Sequence, residues 1–225
     1  LLKLQESLKL HKEYAIQTIK AMGLEWFNLM GYSMGGAVSL ELAQDDDFQG
    51  IQDLIVIEPP GLEKKGLVGM GKDFMIKEGL LKTFPYSEAR IKTFLQGNRD
   101  NTGSLGMLIE DGRILSKKYF DAQKLGNIMP NGRYELWVGT KSSITDVETA
   151  EKVFLEAEDL RKQQDPEASP IEIHTIEGGT HGWPCMNSIG FSRLLKEGKP
   201  KEQVTTVELS ELENSGMERI LEEIE

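Results

Sequence analysis

An α/β fold, with a parallel sheet flanked by helices, is the class that the sequence predicts, and three observations predict it. Short apolar runs recur at Trp26 to Met30, Asp53 to Glu58, Tyr134 to Val138 and Ile171 to Ile176, each closed at or near its end by glycine or proline. Between them the apolar residues change to helical spacing, so strands and helices alternate along the chain. The runs are nearly continuous instead of alternating with polar residues, as strands covered on both faces require.

The elements follow in order. The chain opens on Leu1-Leu2 and not on methionine, already inside a helical pattern that sets Leu4, Leu8, Ala15, Ile19 and Met22 near one face. It reads as the middle of a longer fold. Gly23 stops that helix, and Trp26-Phe27-Asn28-Leu29-Met30 is a strand expected to be buried on both faces. A glycine turn, Gly31 to Gly36, leads into a helix carrying Ala37, Val38, Leu40, Leu42 and Ala43. The second strand ends at Pro59-Pro60. Residues 61–130 then form an insertion with helical segments near Asp73 to Phe84, Ser87 to Leu95 and Ser116 to Leu125. Its glycines Gly66, Gly69 and Gly71 follow no strand in the manner of a phosphate loop and read as a hinge. After the third strand, Thr145-Asp146-Val147-Glu148 has capping-box spacing and starts a helix with Ala150, Val153, Phe154 and Leu160. The charged tail from Lys196 onward ends in a helix bearing Met217, Ile220, Leu221 and Ile224. Residues 1–60 and 131–225 are thus the expected core, and 61–130 the expected helical insertion.

Composition removes several function classes. With 26 Lys+Arg against 37 Asp+Glu the net charge is −11, and without a basic face such a chain repels nucleic acid. The longest apolar runs fall far short of the roughly 18 residues that a membrane-spanning helix needs. One cysteine, Cys185, builds no disulfide framework and suits a reducing compartment, so the cytoplasm is the expected location. No G-x-G-x-x-G follows a strand, and a His181-x-x-x-Cys185 pair lacks further ligands nearby. Neither an organic cofactor nor a metal is expected.

The chemistry concentrates in two glycine-rich turns. Gly31-x-Ser33-x-Gly35 lies between a strand and a helix, the context in which a serine stands exposed on a strained turn above the strand ends. The small residues let strand and helix backbones pass closely, and the Met34 N–H then points where an oxyanion would develop. A serine hydroxyl needs a base. Of His11, His174 and His181, the first lies in the opening helix and the second within a strand. His181 follows the fourth strand in Gly178-Gly179-Thr180-His181-Gly182-Trp183, on the same rim as Ser33, and is the candidate base.

These two motifs resemble those of α/β-hydrolase-fold proteins of the serine-hydrolase type with a helical cap. The similarity runs over nearly the whole chain in strand-helix order, with residues 61–130 as cap. It implies an acyl-enzyme on Ser33 with His181 as general base, no cofactor, and a small ester, thioester or lactone as substrate. Tyr32 and Trp183, beside the two motifs, are the expected substrate contacts. Two departures stand out. The family's acid follows a Gly-x-x-Asp pattern after its seventh strand, and here Gly139-Thr140-Lys141-Ser142 places serine there. Glu58, at the end of the preceding strand, and Asp146, four residues further on, are the two candidates to replace it. In the family roughly four strands precede the opening helix, so the N-terminal part of the sheet is expected to be absent. The elbow strand would then be a bare edge open to self-association. A non-catalytic small-molecule binding protein of the same fold is the alternative.

Overall fold

The computed structural model describes residues 6–45, 50–66, 113, 116–186 and 204–208. Among them five strands form one parallel sheet in the order of the chain: β1 Phe27–Tyr32, β2 Ile51–Ile57, β3 Tyr134–Gly139, β4 Ile171–Glu177 and β5 Val204–Glu208. The helices are α1 Glu6–Ala21, α2 Met34–Ala43, α3 Ala122–Gly126, α4 Val147–Gln164 and the single turn α5 Trp183–Met186. No helix among the described residues is long and apolar enough to cross a membrane.

The continuous apolar runs have a direct physical cause. Successive side chains of a strand point to opposite faces. In β2, Leu54 and Val56 join the main core with Leu40, Leu136, Val138, Phe154 and Ile173, on the face covered by α2 and α4. Ile55 and Ile57 point the other way, into a smaller cluster with Trp137, Ile176 and Trp183. The four strands read from sequence begin and end within two residues of those observed.

Four expectations are corrected. β1 is an edge strand among the described residues, with Asn28 exposed and Met30 56 % exposed, so it is not buried on both faces. Burial of a strand is decided by its neighbours, and among the described residues β1 pairs with β2 alone. Met22, grouped with Leu4, Leu8, Ala15 and Ile19 near one face of the first helix, lies just beyond α1 and is 65 % exposed, whereas Leu8 is buried. Helix α3 is five residues long, because Asp121 caps it by accepting from Lys124 N–H, so Ser116 to Phe120 precede it as turn and extended chain. The tail contributes strand β5, which was read as part of a charged segment. Of the expected cap, residues 67–112, 114 and 115 lie outside the described residues, as does the C-terminal helix. Within 116–130, Phe120, Leu125 and Ile128 are buried in the main core.

At the strand beginnings β2 and β3 are joined by charge. Arg133 donates through Nη2 and Nε to Asp53 Oδ2 at 2.9 and 3.2 Å, through its backbone N–H to Oδ1 at 2.9 Å, and through Nη1 to Glu135 Oε1 at 2.9 Å. Burial pushes the Asp53 carboxyl up, but the hydrogen bonds and charge of Arg133 outweigh it and hold the group below its ordinary range. A lowered folded pKa means stability that is present above the unfolded value and lost as pH falls through the folded one. Asp53→Asn is therefore expected to cost about 1 kcal/mol at neutral pH, the half-exposed guanidinium keeping the effect small. In urea titrations that difference should close below about pH 4, where the unfolded carboxyl protonates. A difference that persists at pH 2 would contradict the assignment.

Candidate active site

The carboxyl ends of β1, β2 and β4 bring three side chains together. Ser33 immediately follows β1, where its N–H donates to Ile57 O at 2.9 Å, and it has φ 54° and ψ −122°. Its carbonyl accepts from Gly36 and Ala37 N–H, which starts α2 at once. Met34 N–H is therefore the first amide of a helix, a group without an acceptor in its own helix and at the positive end of the helix dipole. Close passage of strand and helix depends on Gly31: a Cβ there would be driven into Gly35 O and Ser39 Oγ. The second tight glycine is Gly36, against Gly31 O and Ile57 O, whereas a Cβ on Gly35 would meet nothing within 4 Å. Of the two small residues flanking the serine, Gly31 therefore makes the expected close pass and Gly35 does not. Gly31→Ala is expected to cost on the order of 4 kcal/mol, since the obstacle is backbone. A urea midpoint within about 1 kcal/mol of the parent would disprove the close approach.

His181 Nε2 lies 2.8 Å from Ser33 Oγ. The imidazole is 3 % exposed and stacks on the Tyr32 ring, with centroids 5.2 Å apart and 27° between planes. Tyr32 Oη also donates to the His181 carbonyl at 2.8 Å. On the far side of the ring, His181 Nδ1 faces Glu58 Oε2 at 3.6 Å. Glu58 is fully buried, has φ 51°, and follows β2, where its N–H donates to Trp137 O at 2.9 Å. Its other oxygen, Oε1, accepts from Gly139 N–H at 2.6 Å and Trp183 Nε1–H at 2.9 Å. The contact between Oε2 and Nδ1 is longer than a hydrogen bond, a length that catalytic contacts often show before substrate binds.

The two carboxylate candidates are thus separated. Asp146 is exposed and caps α4, accepting from Thr149 N–H at 2.9 Å, and it is Glu58 that faces the histidine. Asp146→Ala is expected to cost about 1 kcal/mol of stability through loss of the cap and to leave ester turnover within about twofold. A larger fall in turnover, at unchanged fold by circular dichroism, would return Asp146 to the site. Trp183, expected as a substrate contact, is also relocated. It is fully buried and its indole N–H is spent on Glu58. The part that sequence reasoning missed is this set of donors to Glu58 and the close pass of Gly139 against Gly179, where a Cβ on Gly139 would strike Gly179 O. Paired glycines in two strand-end loops were the available signal.

One cluster has metal-ligand composition. Glu135, Glu172 and His174 hold ligand atoms within 4.8 Å of one another. Glu135 is already engaged by Arg133 and, at 2.8 Å, by Trp137 Nε1–H, while His174 stacks on Trp137 with centroids 4.1 Å apart. Burial, and then the charge of Glu135, raise the Glu172 carboxyl above its ordinary range. The arrangement is that of an ion-pair network within the sheet.

No family model and no curated protein sequence matches this chain. Solved structures do. An α/β-hydrolase enzyme from a Medee basin deep-sea metagenome library matches with a TM-score of 0.52 at 14 % identity, over 85 % of this chain and 72 % of its own. An esterase from Exiguobacterium antarcticum gives 0.51 at 12 %, over 83 % and 71 %. The meta-cleavage product hydrolase from Pseudomonas fluorescens IP01 gives 0.51 at 12 %, over 83 % and 69 %. The chain has the α/β-hydrolase fold. That likeness lies in the parallel sheet and its flanking helices.

Proposed function

We propose that the protein is a serine hydrolase that cleaves a small ester, thioester or lactone through an acyl-enzyme on Ser33. The observation that carries this reading is the 2.8 Å contact between Ser33 Oγ and His181 Nε2 on a left-handed turn between strand and helix. In this mechanism His181 carries its proton on Nδ1, toward Glu58, and accepts the Ser33 proton on Nε2 as Oγ attacks the substrate carbonyl. The oxyanion forms beside Met34 N–H, whose helix-end position favours negative charge. His181 then passes its proton to the leaving alcohol, thiol or hydroxyl. Water, deprotonated by His181 in turn, releases the acid and restores Ser33. Glu58 stabilises the imidazolium in both halves.

The class of substrate follows from the chemistry of the pair and agrees with what one of the matched structures is called, an esterase. Labelling with a fluorophosphonate probe, located by peptide mass, tests the proposal. Modification at Ser33 in folded protein, and none after heat denaturation, is the expected result. A folded chain that stays unlabelled while turning over no p-nitrophenyl ester would refute it.

A further inference from the structure

We propose that Trp183 and Tyr32 are positioning residues that fix Glu58 and His181 relative to Ser33, an inference that rests on the hydrolase reading above. Glu58 reaches the histidine from β2 through a side chain with one more torsion than aspartate, and it is fully buried. Something must select its rotamer and offset the cost of burying its charge. Two donors converge on one oxygen: Gly139 N–H, held by β3, and Trp183 Nε1–H, held by α5. The indole cannot swing away, because it is fully buried against Ile55, Ile57, Ile176 and Trp137, the two tryptophan rings lying 6.3 Å apart. With Oε1 so occupied, Oε2 is the atom turned to His181 Nδ1.

Tyr32 does the same for the imidazole. It directly precedes Ser33, its ring lies against the His181 ring, and its hydroxyl holds the His181 carbonyl at 2.8 Å. Each aromatic residue therefore belongs to the turn of one member of the Ser33–His181–Glu58 set and binds another. Tyr32 lies against the imidazole face and Trp183 against Glu58, and neither side chain is given a proton-transfer step. Trp183 acts through Glu58 and Tyr32 through His181.

A double-mutant cycle tests this. With p-nitrophenyl butyrate as probe, Trp183→Phe is expected to lower kcat about 10- to 100-fold at a KM within about twofold, the size of effect that misplacing a catalytic group produces. In a Glu58→Gln background the same substitution should cost less than about twofold, because the group it positions is already impaired. An equal loss in both backgrounds, or a loss confined to KM, would overturn the inference, since core packing or substrate contact would produce those. If Trp183→Phe does not fold, Tyr32→Phe removes one hydroxyl only. It should lower kcat several-fold in the parent and not at all in His181→Ala, and an unchanged kcat in the parent counts against the proposal. A readout free of turnover is the ¹⁵N–¹H resonance of the Trp183 indole, expected to move in Glu58→Gln. An unmoved resonance rejects the positioning role whatever the activity. A moved resonance in a protein inert to esters and fluorophosphonate keeps the Trp183–Glu58 coupling and rejects the hydrolase reading.

Discussion

Ser33→Ala is expected to reduce ester turnover by about six orders of magnitude while leaving the protein folded. The loss is this large because a serine, its base and its acid act as one unit, and without the nucleophile the other two have nothing to activate. Stability should move by about 1 kcal/mol or less. The variant gives up one hydrogen bond, from Oγ to His181 Nε2, and keeps the backbone bonds by which position 33 joins β2 and opens α2. Steady-state hydrolysis of p-nitrophenyl butyrate beside a thermal melt would check both halves. Turnover above about one hundredth of the parent would remove Ser33 from the mechanism.

Glu58→Gln should be nearly as damaging, about four orders of magnitude in kcat, or about 5.5 kcal/mol of transition-state stabilisation. The direction follows from hydrogen-bond polarity. Gly139 N–H and Trp183 Nε1–H both donate to Oε1, so the glutamine carbonyl must take that place and its amide NH₂ must take the place of Oε2. A donor then faces His181 Nδ1, which is forced to accept. The imidazole proton moves to Nε2, the atom 2.8 Å from Ser33 Oγ, and that atom can no longer take the serine proton. The histidine is in place but in the wrong tautomer. Asparagine at Asp146, by contrast, has no route to the ring. If Glu58→Gln retained a tenth of the parent kcat, another group would have to orient His181.

Much of this site was legible because its parts are local. Gly31, Ser33 and the strand and helix around them announce a turn whose geometry depends on residues within five positions. The Gly178-Gly179 loop placed His181 at a strand end on the same rim. What stayed hidden is what depends on strands being neighbours. The capping signature Thr145 to Glu148 locates the helix start to within one residue: Asp146 caps α4, and the Thr145 hydroxyl donates to Pro59 O instead. Glu58 was one of the two acid candidates, and what singles it out, the parallel pairing of β2, β3 and β4 with Trp183 folded over them, is encoded in no short stretch. The edge position of β1 was expected from the strands missing ahead of it, whereas the exposure of Met30 was not legible in its own run, because Met30 is as apolar as a core residue and is exposed for want of a neighbour among the described residues. β5 was missed because Val204 to Glu208, though rich in β-branched residues, sits within a run of charge that masked the signal.

The backbone at Ser33 and Glu58 links chemistry to evolution. Of the described non-glycine residues with positive φ, these two flank the histidine, and the third, Lys118, is exposed just after a turn. Such conformations cost about 1–3 kcal/mol each, a load that glycine would relieve. Any lineage or library screened only for heat resistance thus has an easy gain at position 33, and the same step deletes the hydroxyl. Turnover would vanish from such a population while its members still looked well folded. Glycine at position 33 or 58 would relieve that strain and remove the side chain that the proposed mechanism uses, so stability and the proposed chemistry pull in opposite directions at both turns.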